Sequence, residues 1–146
     1  MGRVSASSTI LINADPATVL GAVADYRVVR PKILSPQYSE YQVLEGGQGQ
    51  GTVARWRLQA TKSRSRVVHA AVDVAGRTVI EKDANSSLVT NWTVAPAGAA
   101  GSSVTVKTTW TGTTGIKGFF EKTFAPLGLR KIQDGVLANL KKEVEG

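Results

Sequence analysis

Residues 88–110 read LVTNWTVAPAGAAGSSVTVKTTW, and this stretch decides the fold class. Leu88, Thr90, Trp92 and Val94 alternate with Val89, Asn91, Thr93 and Ala95. Beyond a connection rich in Pro, Gly and Ala at 96–101, Val104, Val106, Thr108 and Trp110 alternate with Ser103, Thr105, Lys107 and Thr109. A period of two with Thr and Val enrichment is the signature of a half-buried strand. Two such runs joined by a short turn make an antiparallel hairpin.

The same pattern extends toward the N-terminus. Residues 77–83 form a polar strand around Val79 and Ile80, and 64–74 another, with a turn at Gly76 between them. From Gly51 to Ala60, Ala54, Trp56, Leu58 and Ala60 make the apolar, inward set against Val53, Arg55, Arg57 and Gln59. Residues 38–45 are a strand reaching a glycine-rich turn, GGQGQG at 46–51, and residues 3–12 are a strand with Val4, Ala6, Ser8, Ile10 and Ile12 on one face. Between those last two strands, Asp15 caps a short helix that Pro16 opens, because proline's missing donor costs nothing there. Asp25 caps a second one through Val28 and Val29, and Pro31 and Pro36 end regular structure.

Toward the C-terminus the period changes. Gly112 and Gly115 close the strands, and 116–125 suggest a short helix bearing Ile116, Phe119, Phe120 and Phe124. Pro126 and Gly128 read as a kink or interruption. Leu129, Ile132, Val136, Leu137, Leu140 and Val144 then recur at three and four residues, one apolar stripe on a long helix. Over 127–144 that helix spans roughly 27 Å, the one element long enough to cover a sheet face. The expected architecture is α+β: a strand, two short helices, about six more strands and a long terminal helix, in one domain over 1–146.

Composition narrows the chemistry. The chain has 146 residues, no Cys and one His, His69, which excludes disulfides, thiolate chemistry and multi-histidine metal sites. Lys plus Arg is 18 against 11 for Asp plus Glu, a net charge of +7. No signal-peptide h-region opens the sequence and no run approaches the roughly 20 apolar residues of a membrane span. A cytoplasmic location is expected. Neither a phosphate-cradling loop nor a GxSxG motif is present, since GGQGQG joins two strands and opens no helix. No cofactor, metal or catalytic set is called.

TILINADPATV at the start, VADYRVVRPKI, SLVTNWTVAPAG, SSVTVKTTWTG and the closing GIKGFFEKTFAPLGLRKIQDGVLANLKKEV together resemble the START-like, or Bet v 1-like, superfamily. The resemblance is to its polyketide cyclase/dehydrase and lipid-transport branch and covers essentially the whole chain. It implies a helix-grip fold: a curved seven-stranded antiparallel sheet around a long C-terminal helix, braced by two short helices. It also implies a cavity for a hydrophobic molecule between sheet and helix, but brings no universal catalytic motif.

The candidate ligand-binding residues are therefore Trp56, Leu58, Thr90, Trp92, Val106, Thr108 and Trp110 from the sheet, and Phe120, Phe124, Leu129, Ile132 and Val136 from the helical end. Carriage of a lipid or polyketide-like molecule would need a largely apolar cavity of several hundred Å3. A cyclase or dehydratase would add buried polar groups converging on the ligand. An interaction module would use a basic outer face built from Arg55, Arg57, Lys62, Arg64 and Arg66, which lacks the interleaved aromatics that stack nucleic-acid bases. His69 is expected to point outward or toward a strand-edge partner. Glu81 and Asp83, which Asp73 could approach, are expected on a solvated surface, the alternative being a carboxylate inside the apolar cavity that acts as an acid. Arg27, Arg30 and Lys32 are expected near the cavity mouth, either steering an anionic ligand or facing solvent, and Tyr26, Tyr38 and Tyr41 beside them either orient a polar ligand head or pack at a boundary. The sequence is silent on oligomeric state.

Overall fold

The computed structural model describes residues 3–61, 64–111 and 126–146. Seven strands form one antiparallel sheet: β1 (Arg3–Ile12), β2 (Tyr38–Glu45), β3 (Val53–Thr61), β4 (Arg64–Ala75), β5 (Thr78–Asp83), β6 (Val89–Ala97) and β7 (Gly101–Thr111). The spatial order is β1-β7-β6-β5-β4-β3-β2, so β2 to β7 run as a meander and the first strand closes against the last. Helices α1 (Pro16–Val23) and α2 (Val29–Ile33) lie between β1 and β2, and α3 (Pro126–Glu145) follows the sheet. This is the helix-grip architecture.

The sheet buries one face. Ala54, Trp56 and Leu58 of β3, Val68, Ala70 and Val72 of β4, Trp92 and Val94 of β6, and Val104, Val106 and Trp110 of β7 are buried, as the alternation predicts. From α3, Leu129, Ile132, Val136, Leu137 and Leu140 meet them. Helix α3 packs against β1 and the two short helices, and Asn139 Nδ2 donates to Ile33 O at 3.0 Å to tie α3 to α2.

Local signals explain the element ends. Thr18 N donates to Asp15 Oδ2 at 3.2 Å, the cap expected of Asp15 ahead of Pro16. Asp25 Oδ1 accepts from Arg27 N and Val28 N, a tight turn that delays α2 until Val29. Pro31 does not end regular structure. It lies in the first turn of α2, where its missing N–H has no helical acceptor to lose. Pro126 likewise opens α3 instead of kinking it, and Gly128 sits inside the continuous helix. The expected helix over 116–125, with Phe120 and Phe124, and Lys62 of the basic hairpin lie outside the described residues.

Candidate functional site

Strand β5 brings two acids indoors. The two-residue turn Gly76–Arg77 pairs Ala75 with Thr78, which sets Val72 opposite Glu81. Because Val72 belongs to the buried set of β4, Glu81 must point the same way, and it is 5% exposed. Glu81 and Asp83 therefore face the interior, contrary to the solvated surface expected of them. Asp73 stands opposite Ile80 on the outer face, where it accepts from Gln50 Nε2 at 2.8 Å, and so does not approach them.

The two acids have different uses. Asp83 knits the turn after β5, accepting from His69 N and Asn85 N on Oδ1 and from Ser86 Oγ on Oδ2. Glu81 gathers distant residues. Its Oε2 accepts from the Tyr26 hydroxyl at 2.5 Å and from Arg30 Nη1 at 2.6 Å. Arg30 is 2% exposed, with its guanidinium 4.2 Å from the Tyr26 ring centroid and 4.8 Å from that of Trp92. Its Nη2 donates to Val23 O at 3.0 Å. Arg30 is thus an interior, neutralised cation and not a steering charge at a mouth, since a buried guanidinium requires a buried partner. Arg27 and Lys32, by contrast, are exposed.

The glycine-rich turn holds this arrangement in place. Gly47 O accepts from Tyr26 N, and Ala24 O accepts from Gly49 N, both at 2.9 Å. Gly47 has a φ of 140°, and a Cβ there would lie 2.3 Å from Arg27 Nε, so a larger residue would be strained and would have to displace that side chain. Tyr41 donates to Tyr26 O at 2.6 Å and stacks on Trp56 with ring centroids 6.1 Å apart. The three tyrosines do gather around one region, but Tyr26 is fully buried.

A second polar series continues along the same rung of the sheet, because Glu81 pairs with Thr90, Thr90 with Thr108, and Thr108 with Ala6. The Thr90 and Thr108 hydroxyls are 2.9 Å apart. Gln133 of α3 donates through Nε2 to Thr108 Oγ1 at 3.2 Å and to Ala6 O at 3.1 Å. Gln133 was not singled out from sequence, although it is the lone polar side chain within the apolar stripe.

Between this rung and α3 lies a cavity. Eight of the candidate residues line it: Trp56, Leu58, Thr90, Trp92, Val106, Thr108, Leu129 and Val136. Trp110 and Ile132 are buried in the core but are not part of the lining. Arg30, Tyr38, Val68, Glu81, Asp83 and Gln133 join the wall. The cavity volume is about 50 Å3. That is narrower than the cavity of several hundred Å3 expected of it.

Burial and neighbouring charges shape the titrating groups. Burial pushes the Tyr26 and Tyr38 hydroxyls up, and burial pushes that of Tyr41 up to about 12, each against the opposing pull of Arg30. Burial disfavours the Arg30 charge, but Tyr26 and Glu81 more than offset it and hold the guanidinium protonated.

The outer face offers less. Arg57 Nε is paired with Glu40 at 2.8 Å, and Arg66 turns inward at the rim, 3.9 Å from Asp83. The expected basic patch is therefore partly neutralised and split between two faces. His69 is half-buried on the outer side, facing away from the cavity. Among the described residues no cluster of three or more His, Asp or Glu side chains could hold a metal, and no helix is long and apolar enough to cross a membrane.

Comparison with known proteins agrees with this architecture. Residues 3–145 match the family model described as polyketide cyclase / dehydrase and lipid transport. The solution structure of the KanY protein is 77% identical, with a TM-score of 0.91 and 100% of both chains covered. A Thermus thermophilus protein, 16% identical, superposes with a TM-score of 0.76 over 97% of each chain. The Zhui aromatase/cyclase of a Streptomyces species, 13% identical, gives 0.76 over 99% of this chain and 94% of its own. At those last two identities the likeness is one of fold. No curated protein matches the chain.

Proposed function

The chain belongs to the polyketide cyclase / dehydrase and lipid transport family, and from that premise we propose that it binds a small hydrophobic molecule between the sheet and α3. The observation that carries this reading is the cavity wall. Trp56, Leu58, Trp92, Val106, Leu129 and Val136 supply apolar surface, and a single polar rung crosses it. Such a wall suits a ligand with an apolar body and one polar group. The cavity is narrow, so a flat, one- or two-ring body enters by displacing side chains of the wall.

The test is native mass spectrometry of the purified protein, with extraction and identification of any retained molecule, alongside calorimetric titration with 2-naphthol. A retained apolar compound, or 2-naphthol binding that Trp92→Ala weakens by at least roughly tenfold, supports the reading. An empty protein that binds no 2-naphthol sinks it, and unchanged binding in folded Trp92→Ala removes that residue from the site.

A second reading, a cyclase or dehydratase acting in the same cavity, draws on one observation. Glu81 presents a carboxylate at the cavity wall, a group able to take a proton from a bound substrate. Under that reading, extracted material is a mixture of precursor and product, and Glu81→Gln leaves only precursor.

A further inference from the structure

We propose that the cavity selects its ligand by a neutral hydroxyl group, which donates to Glu81 Oε1 and accepts from Trp92 Nε1, and that it turns carboxylates away. This rests on the binding reading above and names the ligand chemistry within it.

The argument is one of unmet capacity. Both donors that reach Glu81 within the protein, Tyr26 and Arg30, converge on Oε2. Among the described residues Oε1 receives no hydrogen bond, and Glu81 lines the cavity. A ligand that displaces solvent from this oxygen must supply a donor in its place. On the neighbouring strand Trp92 also lines the cavity and is 5% exposed. Its indole Nε1 has no partner among the described residues. An indole N–H can only donate, and an ionised carboxylate can only accept. A hydroxyl is the smallest neutral group that answers both.

The charges point the same way. Arg30 is already engaged, its Nη1 donating to Glu81 and its Nη2 to Val23 O, though its buried Nε has no partner. Asp83 adds a second acid to the wall, with Arg66 answering from the rim at 3.9 Å. A ligand carboxylate placed at Glu81 would meet the like charge of Glu81 and Asp83, while the charge of Arg30 is already matched by Glu81. An ether or ketone could use Trp92 but would leave Glu81 Oε1 unanswered.

Three naphthalenes that differ only in their substituent at one carbon test this: 2-naphthol, 2-methoxynaphthalene and 2-naphthoate, titrated calorimetrically at neutral pH into the full chain. The expected order places 2-naphthol roughly tenfold or more tighter than either of the others. Equal affinity for the methoxy compound, or equal or tighter binding of 2-naphthoate, overturns hydroxyl selection while leaving a hydrophobic site standing. Failure of all three to bind overturns both readings. A second arm uses the double variant Arg30→Met, Glu81→Leu, which removes the charges together and so spares the fold an orphaned ion. There 2-naphthol should lose its preference while 2-methoxynaphthalene binds within about threefold of its wild-type affinity. A preference that survives in the folded double variant assigns the selectivity elsewhere and overturns the proposal.

Discussion

One rung of the sheet holds two polar groupings that solve the same problem differently. On the β5 side, Tyr26, Arg30 and Glu81 bury a formal ion pair; on the β6–β7 side, Thr90, Thr108 and Gln133 bury neutral hydroxyls and an amide. In the neutral half every group both donates and accepts, so losing one member leaves the others able to rearrange. In the charged half the partners are specialised. Arg30 only donates and stays charged, and ionised Glu81 only accepts, so neither tolerates the other's absence. Polar residues of similar burial therefore have unequal consequences: the charged half fixes geometry, and the neutral half mostly satisfies it.

The largest expected effect concerns that charged half in alkaline solution. All three tyrosines of the chain, Tyr26, Tyr38 and Tyr41, surround Arg30 and Glu81, and burial raises each of their pKa values above the ordinary 10.0. A raised acid contributes stability that is complete below the unfolded value and is lost as pH climbs through the folded one. The folded protein should therefore show little tyrosinate absorbance at pH 10, followed by a steep rise toward pH 12 that coincides with loss of circular dichroism. A gradual titration centred on 10 in a folded chain would show that these hydroxyls are not held in the interior.

Next in size is the ion pair itself. Glu81→Leu strands Arg30 in the core and should cost roughly 3–5 kcal/mol in chemical denaturation. Adding Arg30→Met removes the stranded charge and should recover most of that loss. If single and double variants are equally unstable, the two residues act independently and the contrast between the halves collapses.

The sequence speaks unevenly about these halves, for reasons that can be traced to individual residues. Trp56, Leu58, Thr90, Trp92 and Thr108 sit on long strands where alternation leaves one self-consistent inward face. The α3 stripe is equally plain over five turns of helix. In β5 the pattern is ambiguous, since Val79 and Ile80 occupy opposite faces and each argues for its own side. The signal that resolves it is non-local: the tight turn at Gly76–Arg77 registers Glu81 against Val72, whose face is clear. Arg30 had no comparable signal. Helix α2 is five residues long, too short for a period, and its orientation is set by β5 and the glycine turn, far away in sequence. The fold was thus legible in its long elements, while the charged part of the site depended on contacts between short ones.

The smallest expected effect probes the neutral half. Thr90→Val keeps the side chain's shape and deletes the hydroxyl that meets Thr108 at 2.9 Å. Thr108 Oγ1 still accepts from Gln133 Nε2 at 3.2 Å, so no buried group is left without a partner. The loss in urea denaturation should stay within about 1 kcal/mol, the net worth of an ordinary neutral hydrogen bond. Thr108→Val is the sharper cut, because it takes an acceptor from Gln133 and a partner from Thr90 together, and should cost more than Thr90→Val but less than Glu81→Leu. That ranking follows from counting which groups are stranded and whether they carry charge. Were Thr90→Val to destabilise the chain as severely as Glu81→Leu, the rung would behave as one cooperative network, and charge would not be what separates its two halves.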